Sequence, residues 1–180
     1  MNVSKLLWDT ARGDVRRALP VLSFPAAQKM GVTVSCDLNY RKNLWKYGKR
    51  ADEVMTELVK YVDPVIANEE DFQKALCLKA ESQGDVEEGE LNVENYKAIA
   101  SLAMETYPNI KRVAITLRES KSANDNDWSA MLYTDSTAYF SKKYSMHIVD
   151  RVGGGDSFGA GLIYSLINDF APQRTIEFAV

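Results

Sequence analysis

The sequence predicts an α/β protein in which helices cover a mostly parallel sheet. Three observations lead to this class. Short β-branched, apolar segments alternate with amphipathic segments along the chain, which is the order of a sheet built from right-handed crossovers. The strand-like segments are almost continuously apolar, as expected for strands buried on both faces. The chain has 180 residues, 46% of them hydrophobic and 26% charged, which suits one domain with a buried core.

The first half of the chain supplies two strands and two helices. GVTVSCDL (31–38) is predicted as a buried strand because it is short, β-branched and mostly apolar. ADEVMTELVKYV (51–62) has helical spacing of its apolar residues, and PVIAN (64–68) follows as a second strand. EEDFQKALCL (69–78) begins with acidic residues, which the dipole of a helix N-terminus favours. Residues 79–92 are acidic and rich in Gly and Ser, and we expect an exposed loop there.

The second half continues the alternation. VENYKAIASLAMETY (93–107) is predicted as an amphipathic helix and KRVAITL (111–117) as a buried strand. The polar stretch 118–127 breaks the pattern. WSAMLYT and TAYFSKKY, at 128–134 and 137–144, then alternate like an antiparallel pair. Two helical segments, DSFGAGLIYSLIND and APQRTIEFAV, end the sequence.

Composition excludes several classes of function. A formal net charge of −3 makes a wide nucleic-acid surface unexpected, because phosphate-backbone binding needs clustered positive charge. There is no long apolar run for a membrane span and no secretory signal, so we expect a cytoplasmic protein without a membrane partner. Cys36 and Cys77 are not expected to form a disulfide. With His147 as the only histidine, neither a zinc site nor a Ser-His-Asp triad is predicted.

The segment DRVGGGDSFGAG (150–161) places three glycines and an aspartate before the next predicted helix. Gly153, Gly154 and Gly155 allow their N–H groups to point together at the helix start, which forms an anion site. Asp156 then lies where it could accept a proton from an attacking hydroxyl. The alternative is structural, since Asp is a common helix N-cap and Gly is common in turns.

The full pattern resembles the C-terminal signature of the ribokinase family of sugar kinases, usually D-T-x-G-A-G-D-x-F-x-x-G. Arg151 replaces the usual Thr, and Gly154 replaces the usual Ala. The resemblance implies that Asp156 is the base that activates the sugar hydroxyl. It also implies that the N–H groups from Gly153 to Asp156 form the anion hole for a phosphoryl group that comes from ATP.

The same resemblance implies a ribokinase-like, three-layer α/β/α fold. In that fold Asp150 would brace the glycine loop, and Gly161 would let the helix approach the sheet. The carboxyl ends of the parallel strands would form the ligand-binding rim. The loops after residues 38, 67, 117 and 149 are therefore expected to meet there.

The segment CDLNYRKNLW (36–45) follows the first predicted strand. Asp37, Asn39 and Arg41 alternate and would project from one face of an extended chain. A guanidinium there suits a carboxylate or phosphate, although it could instead pair with Asp37 or a neighbouring acid. This segment and TLRESKSANDNDWSAMLY are similar to those of 2-keto-3-deoxygluconate kinases. The resemblance implies that Arg41 binds the carboxylate of the sugar acid while Asp37 and Asn39 shape the pocket. Fructokinases share D-x-N-x-R, so a neutral ketose is the main rival substrate.

Two further segments resemble nucleotide-binding elements of the family. ANEEDF matches an N-x-x-E element that helps to place Mg²⁺ and phosphates through water, with Asp71 in its last position. The resemblance implies roles for Asn68 and Asp71, unless Glu69 or Glu70 acts instead or the acids only start a helix. The segment TLR (116–118) occupies the position at which many relatives have T-x-G near ATP. Thr116 and Arg118 are therefore candidate contacts to ATP.

The resemblance extends from about residue 26 to the C-terminus. Family members are longer, and we expect residues 1–180 to be a single partial domain that lacks the N-terminal half and the β lid. Residues 1–25 resemble nothing recognisable and form an atypical segment. An alternative to a kinase is therefore a noncatalytic fragment that binds phosphate weakly. Such a chain could form a homo-oligomer or pair with a complementing chain along its sheet edge.

Overall fold

The computed structural model describes residues 23–46, 48–79, 93–122, 124–150 and 152–180. Most of the atypical N-terminal segment, nearly all of the predicted acidic loop, and Arg151 lie outside these residues. Within them, a single six-stranded sheet is covered by helices on both faces. The predicted α/β class with three layers is confirmed.

The sheet is mixed. Its strand order is β1-β2-β3-β4-β5, and β6 also pairs with β4. The pairs β1–β2 and β2–β3 are parallel, whereas β4 pairs antiparallel with β3, β5 and β6. The six strands are β1 (Cys36–Asp37), β2 (Val65–Ala67), β3 (Arg112–Ser120), β4 (Asp125–Thr134), β5 (Thr137–Phe140) and β6 (Tyr144–His147).

Helices pack on the two faces because the buried strand residues alternate in direction. One face carries α1 (helical residues 23–29), α2 (Ala51–Leu58), α3 (Glu69–Leu76) and α4 (Val93–Thr106). The other carries α5 (Gly154–Ile167) and α6 (Pro172–Ala179). Short 3-10 turns occur at Lys42–Leu44 and Val59–Tyr61. On β2, for example, Val65 and Ala67 belong to the first core, whereas Ile66 packs against α5 and α6.

Two predicted segments differ from the structure. The strand expected over 31–38 contributes only two residues to the ladder, because residues 31–33 are exposed and lie beyond its hydrogen bonds to the second strand. The polar stretch 118–127 does not end the sheet. It forms the end of a hairpin whose strands are joined by side-chain bonds, such as Ser120 Oγ to Asn126 Oδ1 at 2.9 Å.

Gly161 serves a different contact from the one expected. A Cβ atom built on it would lie 3.0 Å from the Cα atom of Ala179. The residue therefore lets α5 approach α6, and the expectation that it contacts the sheet is wrong. Among the glycines of α5, Gly159 is the one beside the sheet, where a Cβ atom would lie 3.6 Å from Ile66 Cδ1.

Both cysteines are free thiols, Cys36 buried and Cys77 exposed at the end of α3. The Nδ1 atom of His147 lies 2.8 Å from the Oδ1 atom of the Asp125 carboxylate. In the described parts of the chain, no helix is long and apolar enough to span a bilayer.

Candidate functional site

A cavity of about 500 Å³ lies at the carboxyl ends of β1, β2 and β3. We call it the larger cavity. The rim lies where the sequence predicts it, because the loops after β1 and β2, the end of β3 and the start of α5 all contribute residues to this cavity. Its lining residues are Asp37, Asn39, Arg41, Ile66, Ala67, Asn68, Glu70, Asp71, Tyr96, Thr116, Arg118, Trp128, Gly155 and Phe158.

The glycine loop opens α5 with free space in front of it. Gly153 is the residue before the helix and has a φ of 86°, a left-handed conformation that favours glycine. Cβ atoms built on Gly153, Gly154 or Gly155 would meet nothing within 4 Å. The first N–H groups of a helix have no partner within it, so those at the start of α5 are not used by the helix itself. The loop is braced as expected, because Asp150 Oδ1 accepts a hydrogen bond from the Val152 N–H at 3.0 Å.

A smaller cavity of about 170 Å³ adjoins the larger one along Asp37, Ile66 and Gly155. The carboxylate-bearing residues Asp37 and Asp156 both line it, and the first turns of α5 close its far side. Asp156 is an exposed residue of the first turn. The proton acceptor suggested by the sequence therefore lies beside the glycine N–H groups and next to a space that can hold a small group.

Asp37 is the most perturbed carboxylate of the site. Burial, followed by repulsion from Asp71, raises the pKa of Asp37 to about 6. A hydrogen bond from the Asn39 backbone and the charge of Arg41 act in the opposite direction, and the charge of Asp156 adds a smaller increase. Asn39 itself has a φ of 37°, a conformation that asparagine tolerates better than most residues.

Arg41 is exposed on the wall of the larger cavity. Its Nη1 atom donates to the carbonyl oxygen of Tyr40 at 3.1 Å. In the portion of the chain that the structure describes, no ion pair joins Arg41 to Asp37, which was the structural alternative. The exposed guanidinium is within reach of an anion in the cavity.

Asn68 and Asp71 form a capping box at the start of α3. The Asn68 Oδ1 atom accepts from the Asp71 N–H at 2.9 Å, and Asp71 Oδ2 accepts from the Asn68 N–H at 3.0 Å. The other carboxylate oxygen of Asp71 accepts from the Tyr40 N–H at 2.8 Å. Burial raises the pKa of Asp71, although both backbone hydrogen bonds oppose that increase. Asp71 thus fixes the loop after β1 against α3.

The donor set offers magnesium little direct coordination. Both oxygens of Asp71 already accept backbone N–H bonds, and the described residues hold no cluster of three acidic, histidine or cysteine side chains suited to a metal. Asn68 and the exposed Glu70 still line the larger cavity. These residues fit an ion that reaches the protein through water, as Mg²⁺ commonly does when it is carried by phosphates.

The far wall of the larger cavity comes from the β3–β4 hairpin. Thr116 and Arg118 lie on β3, and Trp128 is the direct cross-strand neighbour of Arg118. Tyr96, from the first turn of α4, also lines the cavity. Sequence reasoning missed the two aromatic residues. The alternation of the hairpin was the available signal for Trp128, since residues directly opposite on paired strands share a face.

This fold and site define a class of protein, namely α/β enzymes with the ribokinase-like fold. A family model described as the pfkB family carbohydrate kinase matches residues 18–180, and the chain belongs to that family.

Solved structures support this assignment. A 2-dehydro-3-deoxygluconokinase from Thermotoga maritima is 45% identical, with a TM-score of 0.79 over 90% of this chain and 47% of the relative. A PfkB family carbohydrate kinase from Listeria grayi is 25% identical, with a TM-score of 0.79 over 94% of this chain and 49% of its own. A Vibrio cholerae fructokinase, solved with fructose, ADP and a calcium ion, shares the fold at 23% identity and a TM-score of 0.63, over 94% of this chain and 48% of its own.

The chain therefore spans about half the length of these relatives. Among curated proteins, no significant match was found.

Proposed function

We propose that this site catalyses ATP-dependent phosphorylation of a sugar acid, 2-keto-3-deoxygluconate (also called 2-dehydro-3-deoxygluconate), to its 6-phosphate. The observation that carries the proposal is that Gly155, at the start of α5, lines both cavities together with Asp37, while Asp156 lines the smaller cavity and Arg41 the larger one. An anion site, a proton acceptor and a cation are the groups that phosphoryl transfer to a carboxylated alcohol requires.

The chemical step assigns one task to each group. The Asp156 carboxylate takes the proton from the hydroxymethyl group as its oxygen attacks the γ-phosphorus of ATP. The bond from that phosphorus to the bridging oxygen breaks, and its electron pair leaves with ADP. The backbone N–H groups at Gly153, Gly154 and Gly155 stabilise the charge on the transferred phosphoryl oxygens, helped by the dipole of α5.

The sugar acid is assigned to the side of the larger cavity that β1 provides. Arg41 would bind the carboxylate through its planar guanidinium, and Asp37 and Asn39 would shape the pocket around the hydroxyl groups. The 45% identity to a 2-dehydro-3-deoxygluconokinase favours this substrate. A neutral ketose such as fructose is the principal rival.

The nucleotide is assigned to the side formed by β2, β3 and the start of α3. Thr116 and Arg118 would contact ATP, and Asn68 and Asp71 would meet the water shell of Mg²⁺. When bound, Mg²⁺ neutralises charge on the phosphates. Arg118 brings a positive charge to the end of β3, where it can interact with the same phosphates.

Calorimetry and a coupled ADP-release assay test the proposal. The full chain should bind ATP with Mg²⁺ and should turn over with the sugar acid, and Asp156→Asn should reduce kcat by about 10²-fold or more because it removes the base. ATP binding should survive in the variant, whose fold can be checked by circular dichroism. A folded protein that binds ATP but never releases ADP would identify the noncatalytic alternative instead.

A second variant tests the choice of sugar. Arg41→Ala should raise KM for the sugar acid by about tenfold or more, the cost of an unpaired carboxylate, while KM for ATP stays the same. Lys111→Ala is the matched control, because it removes a positive charge at the opposite end of β3. Equal preference for the sugar acid in the wild type and in Arg41→Ala would rule out the carboxylate role, and preferential turnover of fructose would identify a fructokinase.

A further inference from the structure

The smaller cavity presents two carboxylates to the same space. Asp37 comes from the end of β1 and Asp156 from the first turn of α5, and both residues line this cavity of about 170 Å³. A bound water occupies about 30 Å³, so the cavity has room for a hydroxymethyl group together with a few waters. The remaining walls are mostly small or apolar, including Gly159, Ala160 and Ile163.

Asp37 differs from Asp156 in that it also lines the larger cavity. It therefore connects the space beside Asp156 with the wider opening at the carboxyl ends of the strands. Asp71, the buried acid of the rim, does not serve in the same way, since both of its oxygens accept backbone hydrogen bonds and it does not line the smaller cavity.

We propose that Asp37 is the second proton acceptor of the reaction, which receives the proton that Asp156 takes from the sugar hydroxyl. This inference rests on the proposed function. The proton moves from the alcohol to a carboxylate oxygen of Asp156, then directly or through one water to Asp37, and finally to solvent in the larger cavity. Asp156 is thereby returned to its ionised form, and no further reactant is needed.

The charges around Asp37 suit an acceptor that later releases its proton. Asp71 on α3 and Asp156 on α5 disfavour the ionised form, while Arg41 and the Asn39 N–H favour it. The balance places the pKa of Asp37 at about 6. A carboxyl group with that pKa is mostly ionised at pH 7 and still accepts a proton more readily than an ordinary aspartate does.

Kinetics provide the first test. Asp37→Asn should lower kcat by about tenfold or more while KM for ATP stays within about twofold, because the variant keeps the shape of the residue and loses the acceptor. The wild-type profile of kcat against pH should contain a limb near pH 6 that is missing in Asp37→Asn. Asp135→Asn is the control, since Asp135 is an exposed turn residue between β4 and β5.

Titration of the carboxyl carbons by ¹³C NMR provides a test that needs no turnover. The signal that Asp37→Asn removes should titrate near pH 6 in the wild type, and Asp156→Asn should move its midpoint to lower pH. Asp135→Asn should leave the midpoint unchanged. A midpoint near 4, or one that ignores Asp156→Asn, overturns the pairing even if the protein is an active kinase.

The two tests separate the inference from the proposed function. If the wild type binds neither ATP nor the sugar acid, the proposed function fails, and the titration alone decides whether the two carboxylates are coupled. If the wild type turns over and Asp37→Asn keeps full kcat with an unchanged pH profile, the proposed function stands and the role of Asp37 is refuted.

Discussion

Replacing Asp37 with Asn is predicted to stabilise the folded protein at neutral pH. Burial and neighbouring acids raise the pKa of Asp37 from 3.8, the ordinary value for an aspartate, to about 6. The folded state thus holds this proton more tightly than the unfolded state does. The free energy of unfolding therefore falls as the pH rises through the window between these two values, and the loss is complete above the folded-state pKa.

The magnitude follows from the size of the shift. A change of about two pKa units corresponds to about 3 kcal/mol, since each unit is worth about 1.4 kcal/mol. Asn carries no charge and keeps an oxygen that can accept the N–H bond from Asn39, so the variant avoids this loss. We therefore expect Asp37→Asn to gain about 1 to 3 kcal/mol above pH 7 and almost nothing near pH 4.

Urea unfolding followed by circular dichroism measures this effect. Wild type and Asp37→Asn are compared at pH 4, 5.5 and 7.5, and the quantity of interest is the difference between their free energies of unfolding at each pH. Asp135→Asn serves as the control, because Asn tolerates the positive φ of that exposed turn. A difference that stays constant with pH, or a variant less stable than the wild type at pH 7.5, would refute the reasoning.

Three further predictions concern the residues that shape the site. Gly161→Ala should be at least about 1 kcal/mol less stable in urea than the matched Gly159→Ala, since its Cβ atom would lie 3.0 rather than 3.6 Å from its nearest neighbour; equal stabilities would contradict this. Gly153→Ala should cost about 1 to 2 kcal/mol because of its positive φ, and should weaken ATP binding in calorimetry; unchanged stability and binding would show that the loop adapts. Asp71→Asn should cost about 1 to 3 kcal/mol in thermal unfolding, because an amide cannot accept both backbone N–H bonds with its one oxygen; an unchanged melting temperature would argue against the cap.

Most of the site could be predicted from local signals in the sequence. Three glycines before an aspartate require an unusual backbone, and the alternation of Asp37, Asn39 and Arg41 after a buried strand places all three at one rim. The structure brings these segments together around the larger cavity. Their shared location can be predicted because the carboxyl ends of parallel strands meet at one edge whatever lies between them in the chain.

The remaining parts depend on contacts that short segments do not specify. Trp128 reaches the larger cavity because the hairpin continues to Ser120 through polar residues that read as a loop, where a side-chain bond from Ser120 to Asn126 accompanies the strand pairing. Tyr96 reaches it because of the rotation of α4 about its axis, which packing against β3 fixes. The bond by which Asp71 holds the loop after β1 was equally hidden, because it joins Asp71 to the Tyr40 N–H, 31 residues away.

The two acids of the rim, buried Asp71 and half-buried Asp37, differ in what their carboxylates do in the fold. Burial raises the pKa of both Asp37 and Asp71. Asp71 offsets that cost by accepting two backbone N–H bonds that hold the loop after β1 against α3. At Asp37, the Asn39 N–H and the charge of Arg41 oppose the effect of burial but leave the pKa at about 6, and the residue lines both cavities. A carboxylate that lowers the stability of the fold and faces open space is better explained by catalysis than by packing. Functional sites commonly hold acids with shifted pKa values at some cost in stability.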